Sequence, residues 1–548
     1  MSNHNHNIDC LNGSSKVKAS SDGFASNSQQ NVGLLAMAAY FPKTYVSQRD
    51  LELYDNVGAG KYTKGLMQDK MAFCTDLEDI NSIALTVTRK LLEQTGIPLS
   101  DIGYLEVGTE TILDKSKSIK TVLMQLFEES GNTDIEGVDT INACYGGTAA
   151  LFHAIDHCSS PFWDGRAAIV VAADIAVYDK GSARPTGGCG AVAMLIGSNA
   201  PLVFDPFRAT QMTNTYDFYK PDPTSEYPIV DGKLSLQAYI TTLDKCSQIY
   251  RTKHAKYKHQ TNGTNGTTRT NGSCDNIGPI LLLDEFDAIL LHSPYCKLVR
   301  KAFARLMFND YRQLLSDSNE TSRQKHETEM SEICKDNKLL ERVVLNLIRS
   351  SASLSNYNDW ITSIGDTTLE RVAIQLSERA FKEKTEDSLY LSNQIGNMYT
   401  ASLYACLISY LTSKPSEKLI NNKLLFFSYG SGSAASMFSA RLTGNVNELN
   451  KLVSGLRDVR SKLSQRVRVS PDEFNAHLEH RKRTFSLANR YPTGKPVSDS
   501  RRGDSGIDLG TYLYADTYYL TEVDGMFRRR YKRYELDGLV VTNGNDIH

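Results

Sequence analysis

Cys144 lies in NACYGGTAA (142–150), between a short β-branched stretch, IEGVDTI (135–141), and TAALFHAIDH (148–157), whose apolar residues recur at helical spacing. The pattern predicts a strand that hands over to a helix through two adjacent glycines, with the cysteine at the junction. A thiol in that place faces the positive end of the helix dipole and several unpaired backbone N–H groups, which favour thiolate over thiol. The same amides suit an oxyanion on a thioester carbonyl. A lone cysteine is more often a small core residue than a nucleophile. Here the paired glycines and the strand-to-helix position reverse that weighting, and Cys144 is read as a nucleophile.

Three further polar residues end predicted strands: Glu110 after YLEVG (104–108), His292 after the apolar run 280–291, and Asn397 after a short strand at 389–391. The carboxyl ends of strands in α/β sheets are where ligands bind. A nucleophilic cysteine with a separate histidine and asparagine points to acyl-thioester chemistry, and an added carboxylate to deprotonation of a weak carbon acid. Taken singly, a glutamate is usually solvated and a histidine usually a satisfied core residue. Their joint placement is what carries chemistry.

The elements that must position them are predicted as follows. The first 31 residues, rich in Ser, Asn and His, read as a disordered leader. A first strand covers 32–40, and the glycine-bearing loop YDNVGAGKYTKG (54–65) carries Lys61 and Lys64, suited to covering an anionic ligand. Helices follow at 79–95 and 120–129. An apolar strand at 167–173 has Asp174 at its tip, and a loop at 184–190 leads to a strand at 191–196. Residues 201–235 are loop-rich and aromatic, including YDFYKPD (216–222), and loops of that length inside a compact protein are usually functional or disordered. After a helix at 236–257 come a low-complexity insert (260–276), read as a surface loop, and a charged exposed stretch (316–338). Helices are predicted at 369–382 and 401–411. The strand 424–427 opens into SYGSGSAA (428–435), which repeats the strand, small-residue turn and helix theme around Cys144 and hints at internal duplication. The C-terminal part reads as helices at 446–463 and 471–483 and a hairpin at 512–534 turning at Asp524-Gly525, its basic run a solvated edge.

Length and composition bound the class. With 548 residues the chain forms several domains or one large duplicated α/β unit. A net charge of −2 argues against a dedicated nucleic-acid binder, while leaving room for an anionic ligand on a local basic patch. No apolar run approaches the roughly 20 residues that span a bilayer, so no membrane partner is expected. The first thirty residues have neither an apolar h-region nor an arginine, which argues against secretion and against mitochondrial import. Ten scattered cysteines without a CxxC pair suit reduced thiols in the cytosol. His254 and His259 have no neighbouring ligand cluster at suitable spacing, so no metal is expected.

VGTET around Glu110, NACYGGTAA around Cys144, HSPYCK from His292, SNQIGNMYT around Asn397 and SYGSG around Ser431 together closely resemble eukaryotic 3-hydroxy-3-methylglutaryl-CoA (HMG-CoA) synthases, from about residue 32 to the C-terminal hairpin. The resemblance implies an α/β, thiolase-like five-layered αβαβα fold with two related halves, usually as a homodimer. It divides the chain into a leader (1–31), an N-terminal half with the catalytic Glu and Cys (32–200), and substrate loops, helix and insert (201–279). A C-terminal half with the catalytic His and Asn (280–445) and helices with a hairpin packed on the core (446–548) complete it. The implied reaction condenses acetyl-CoA, acetoacetyl-CoA and water to HMG-CoA and free CoA, in the cytosol, on the route to isoprenoids and sterols. CoA thioesters are then substrates, with no cofactor. Cys144 would carry the acetyl group, Glu110 remove a methyl proton, and His292 help protonate the new oxyanion. Asn397 would hold the acetoacetyl group with Ser431 nearby, the backbone N–H groups of Cys144 and Ser431 would stabilise the enolate, and Asp174 and Asp217 would support the reacting residues. Ala59, Gly60, Lys61, Ser182, Thr186, Ser235, Lys297 and Lys301 would contact CoA. Gly58, where the family usually has an acidic residue, and Ser182, where it usually has Asn, depart from the pattern. Thiolases and β-ketoacyl synthases lack the VGTET glutamate, and a silent CoA-binding relative would be expected to have lost Cys144, Glu110 or His292.

Overall fold

The computed structural model describes residues 31–262, 280–316, 367–496 and 508–535. The predicted leader up to residue 30, most of the 260–276 insert and the 317–338 stretch lie outside the described residues. No helix among the described residues is long and apolar enough to cross a membrane.

Among the described residues, nine strands form one mixed sheet: β1 (Gly33–Tyr40), β2 (Ile102–Gly108), β3 (Asp139–Thr140), β4 (Ala167–Ala176), β5 (Gly188–Gly197), β6 (Leu202–Met212), β7 (Ala288–Leu291), β8 (Lys423–Gly430) and β9 (Ala434–Leu442). Their spatial order is β7-β8-β9-β6-β1-β5-β4-β2-β3. That order contains a repeat. In the first half β1 runs antiparallel to β5, β5 antiparallel to β4, and β4 parallel to β2. The second half reproduces this with β6, β9, β8 and β7. The halves join through their first strands, where Gly33 and Leu34 of β1 pair with Val203 and Leu202 of β6. The strand at 202–212 and the helix that follows it, from the segment 201–279, thus belong to the second half's own sheet and its cover.

Helices sit where each sheet needs its apolar face closed. α1 (Ile80–Thr95) packs on β1, β5 and β4. It starts at a capping box in which Asp79 accepts from Ser82 N–H, and stops at Gly96 in the left-handed conformation. α2 (Gly146–Cys158) packs on β2 and β4, and its Phe152 meets Phe438 of β9 edge to face, so it lies between the two half-sheets. α3 (Gly232–Asn262) covers β6 and β9, with α4 (Cys296–Ser316) against it, and α5 (Ser402–Leu411) lies on β7 and β8. β4 and β5 are buried along their whole length, as their continuous apolar runs require.

Several local expectations change. Residues 389–391 are not a strand: a 3-10 turn at Glu386–Leu389 runs into a helix at Tyr390–Ile395. Within 280–291 a short helix at Leu282–Glu285 precedes β7. The predicted helix 446–463 is two, Val446–Ser454 and Val459–Ser464. Asp174 lies inside β4 and not at its tip. SYGSG turns back into β9, so it is a hairpin and not the second copy of the cysteine turn. The counterpart of the Cys144 turn is the Asn397 segment, because it leads into α5 as the cysteine leads into α2. Small residues alone do not distinguish a hairpin from a strand-to-helix turn; only the pairing partner does.

The N-termini of α2 and α5 meet. Thr148 shares hydrogen bonds with Tyr404 (2.8 Å) and Ser428 (2.7 Å). Gly147 is pressed into the junction, since a Cβ there would lie 2.9 Å from the Thr400 carbonyl oxygen and 3.0 Å from Ala172 Cβ. Backbone on one side cannot yield, so Gly147→Ala is expected to cost about 1–3 kcal/mol and to lower the thermal midpoint in a melt read by circular dichroism.

Candidate active site

The segments bearing Glu110, Cys144, Asn397 and Ser431 contact one another, and a single carboxylate ties two of them together. Asp174 is fully buried. Its Oδ1 accepts from Thr109 Oγ1 (2.9 Å), Glu110 N (2.8 Å), Thr111 N (3.0 Å) and Thr111 Oγ1 (2.8 Å). Its Oδ2 accepts from Thr400 N (3.0 Å) and Thr400 Oγ1 (2.5 Å). The TET loop of one half and the MYT loop of the other are thereby fixed on one side chain. Thr400 Oγ1 also lies 2.9 Å from the Gly108 carbonyl oxygen.

Glu110 Oε2 is 3.8 Å from Cys144 Sγ, and Glu110 Oε1 is 2.8 Å from Lys220 Nζ. Burial pushes the Glu110 carboxyl up to about 7, Lys220 opposing the rise and Asp174 adding to it. A carboxylate at that value is poised between acid and base near neutral pH. Cys144 corrects an expectation: burial, then Glu110 and Asp174, push its thiol well above the ordinary value. The helix terminus offers only about half a positive charge, which does not offset two nearby carboxylates in a site shielded from water. The turn itself is strained, with Ala143 at φ +43° immediately before Cys144.

Asn397 is buried, and its Oδ1 accepts from Tyr399 N (2.8 Å) and Ser402 Oγ (2.9 Å), which leaves its NH2 end for a ligand. His292 follows β7; its N–H donates to the Phe427 carbonyl (2.8 Å) and its carbonyl accepts from Tyr239 OH (2.7 Å). Its buried Nε2 has no partner among the described residues, the kind of orphan that a ligand satisfies. Burial holds the imidazole down to about 3, so His292 is neutral at physiological pH. The Ser431 hairpin lies against the cysteine turn: a Cβ on Gly430 would sit 2.6 Å from Tyr145 N. Asp217, fully buried, braces that hairpin by accepting from Tyr429 OH (2.9 Å) and Gly432 N (2.8 Å).

The residues expected to contact CoA fall into linked surface segments. The loop bearing Ala59, Gly60 and Lys61 is wrapped around buried Glu52, which accepts from Gly60 N (2.9 Å), Tyr62 N (2.7 Å) and Thr63 N (2.7 Å). Lys61 is exposed. Lys297 N donates to the Leu66 carbonyl (2.9 Å), and Arg184 pairs with Asp55, so this loop touches both the start of α4 and the 182–186 turn. The Thr186 carbonyl accepts from Asn397 N (3.3 Å), and Ser182 is exposed beside it. Ser235 sits in the first turn of α3 and donates its N–H to Asp231, whose N–H in turn bonds the Asp217 carbonyl (2.9 Å). Lys301 is already paired with Glu370 at 3.0 Å, so an anion there must compete. Gly58 is exposed, with nothing within 4 Å of a built Cβ, and its departure from the family pattern leaves the loop's packing untouched.

Two residues escaped the sequence reading. Thr400 lies inside a quoted motif but showed no sign of reaching the other half. Lys220 lies in the aromatic loop YDFYKPD, where nothing local says that it meets Glu110.

Comparison with known proteins agrees with this geometry. The family model described as hydroxymethylglutaryl-coenzyme A synthase N terminal matches residues 28–201, and the C-terminal one matches 202–358 and 346–534. The chain is 47% identical over 510 residues to the cytoplasmic hydroxymethylglutaryl-CoA synthase of Gallus gallus, covering 92% of this chain and 87% of that protein. It is 45% identical over 509 residues to the mitochondrial one of Sus scrofa, covering 92% and 90%. Among solved structures, MvaS in complex with 3-hydroxy-3-methylglutaryl coenzyme A superimposes with a TM-score of 0.68 at 27% identity, covering 92% of this chain and all of that one. The fold is thiolase-like, with the five-layered αβαβα arrangement, and on the family models and relatives together this chain belongs to the hydroxymethylglutaryl-CoA synthase family.

Proposed function

We propose that the chain condenses acetyl-CoA with acetoacetyl-CoA and water to form HMG-CoA and CoA, through an acetyl thioester on Cys144, in the mevalonate route to isoprenoids. The observation that carries the assignment of roles is Glu110 Oε2 at 3.8 Å from Cys144 Sγ, on a loop locked by Asp174. Cys144 Sγ bonds the acetyl carbonyl carbon, the carbon–sulfur bond to CoA breaks, and CoA leaves with the proton that the thiol gives up. The N–H groups of Cys144 and Ser431 are the donors for the carbonyl oxyanion.

Glu110 then takes a proton from the acetyl methyl. A thioester α-proton is more acidic than an ester's yet far less acidic than a carboxylic acid, so the base needs a dry site in which the enolate is stabilised as it forms. The enolate carbon attacks the ketone of acetoacetyl-CoA, held by Asn397. Neutral His292 donates a hydrogen bond to the developing alkoxide, and Glu110 returns the proton. Water hydrolyses the thioester, freeing HMG-CoA and the Cys144 thiol. Lys61 and Lys297 suit CoA phosphates as point charges. No cofactor enters this scheme. The test is intact-protein mass: acetyl-CoA alone should add one acetyl group, and acetoacetyl-CoA should remove it with release of HMG-CoA. A chain that takes up no acetyl group sinks the assignment.

The working unit is a homodimer. β3 is an edge strand, flanked by exposed Val138 and Ile141, with exposed Ile112, Met526 and Phe527 lining the same groove. An exposed edge with apolar neighbours is a template for a second copy. The double substitution V138D/I141D is expected to shift the light-scattering mass from dimer to monomer; an unchanged mass places any interface elsewhere. A cytosolic location accords with the cytoplasmic relatives, and fractionation separates it from the mitochondrial alternative.

A further inference from the structure

We propose that Lys220 is a positioning residue that holds Glu110 as a carboxylate, with one oxygen committed to the ammonium and the other turned to Cys144. The inference rests on the roles given above to Glu110 and Cys144 and adds a partner for the base. The geometry is unusual for a lysine. Its Nζ lies 2.8 Å from Glu110 Oε1, 4.9 Å from the centre of the Tyr399 ring and 5.7 Å from that of Phe218. Two aromatic faces and a buried carboxylate hold a side chain that is ordinarily free in water.

The loop that carries it is anchored at both ends. Phe218–Tyr219 pairs antiparallel with Ile229–Val230. Just before that pair, Asp217 is tied to Tyr429 and Gly432. Between the two short strands, buried Glu226 forms a two-pronged ion pair with Arg481, both contacts 2.7 Å, on the helix Pro471–Thr484. Lys220 is thus delivered to the site by a hairpin fixed to the second half and to the C-terminal helices. An ammonium there is built in.

The electrostatics explain its use. Among the described residues, the charged and titratable groups around Glu110 are Lys220, Asp174, Cys144, Tyr178 and Tyr399, and those around Lys220 are Glu110, Asp174, Glu226, Cys144 and Tyr399. Of these, Lys220 is the cation. Without it, only the Cys144 hydrogen bond opposes burial and Asp174, and Glu110 keeps its proton to higher pH, so the base form is lost where the enzyme works. With it, the carboxylate is populated at neutral pH at the cost of some basicity. The ion pair also orients the group: with Oε1 held, Oε2 is the oxygen beside Cys144, where the acetyl methyl will lie.

The test is the pH profile of kcat/KM for the native chain, Lys220→Met and Lys220→Arg, with acetyl uptake measured in parallel by intact mass. In K220M the acidic limb is expected to move up by at least one unit, so that below both limbs the rate falls about tenfold or more relative to native, while K220R keeps the native limb. Should K220M not fold, Lys220→Gln, uncharged but still able to donate, carries the same readout. A native limb in a folded, charge-free variant overturns the proposal. A native chain that takes up no acetyl group overturns instead the roles on which it rests.

Discussion

Cys144→Ala is expected to leave a folded protein that takes up no acetyl group and turns over at least about 10⁴-fold more slowly than the native chain, the scale on which loss of a covalent nucleophile is felt. The side chain is small and half-buried, so its removal disturbs packing little. Glu110→Gln should separate from it cleanly. The glutamine still fills the site but removes no proton, so the variant should acquire the acetyl group and then stall, with condensation reduced about 10²–10⁴-fold, the usual range for a general base. Glutamine is preferable to alanine because Lys220 then keeps a hydrogen-bond acceptor in place of an empty pocket. Intact mass reads the first half-reaction and HMG-CoA release the second. Stable acetylation of C144A, or normal release by E110Q, would remove the respective role. In the native chain, activity should rise with pH through about 7 as Glu110 ionises, and lose close to tenfold for each unit below.

Asp174→Ala carries the largest expected effect on stability. The substitution strips an acceptor from the N–H groups of Glu110, Thr111 and Thr400 and from the hydroxyls of Thr109, Thr111 and Thr400, all in a place closed to water. Each buried donor left unpaired costs about 1–3 kcal/mol, and breaking a buried charged network costs about 3–5 kcal/mol in all. Set against a total stability of about 5–15 kcal/mol, that is enough to cut the yield of folded protein. Asp174→Asn is the finer probe. Its amide oxygen can serve one side, but its NH2 must then face donors on the other, most damagingly the Thr400 N–H, which cannot reverse. We expect D174N to fold with a lowered thermal midpoint and to lose condensation more than acetyl uptake, because the Glu110 loop shifts relative to Asn397. Equal loss of both steps would point to general collapse instead of a misplaced base.

Much of this protein was determined by its sequence alone. The strand-to-helix turn at Cys144, the strands β1, β2, β4 and β5, the helices α1, α3 and α5, and the terminal hairpin follow from periodicity, capping residues and glycine placement, because those are local consequences of backbone sterics and side-chain burial. The five motifs likewise placed Glu110, Cys144, His292, Asn397 and Ser431 at turns and element ends. What required the tertiary structure depends on distance across the fold. The duplicated half-sheets appear in strand pairing, not in repeated residues, so the sequence pointed to SYGSG as the second copy when it is the Asn397 segment. The helix terminus alone does not set the cysteine's proton affinity: burial, and then Glu110 and Asp174, 34 residues before and 30 after it in sequence, raise it. Lys220 is the plainest case: 110 positions separate it from Glu110, and no local pattern can announce a charge pair that exists only once two halves have folded against each other.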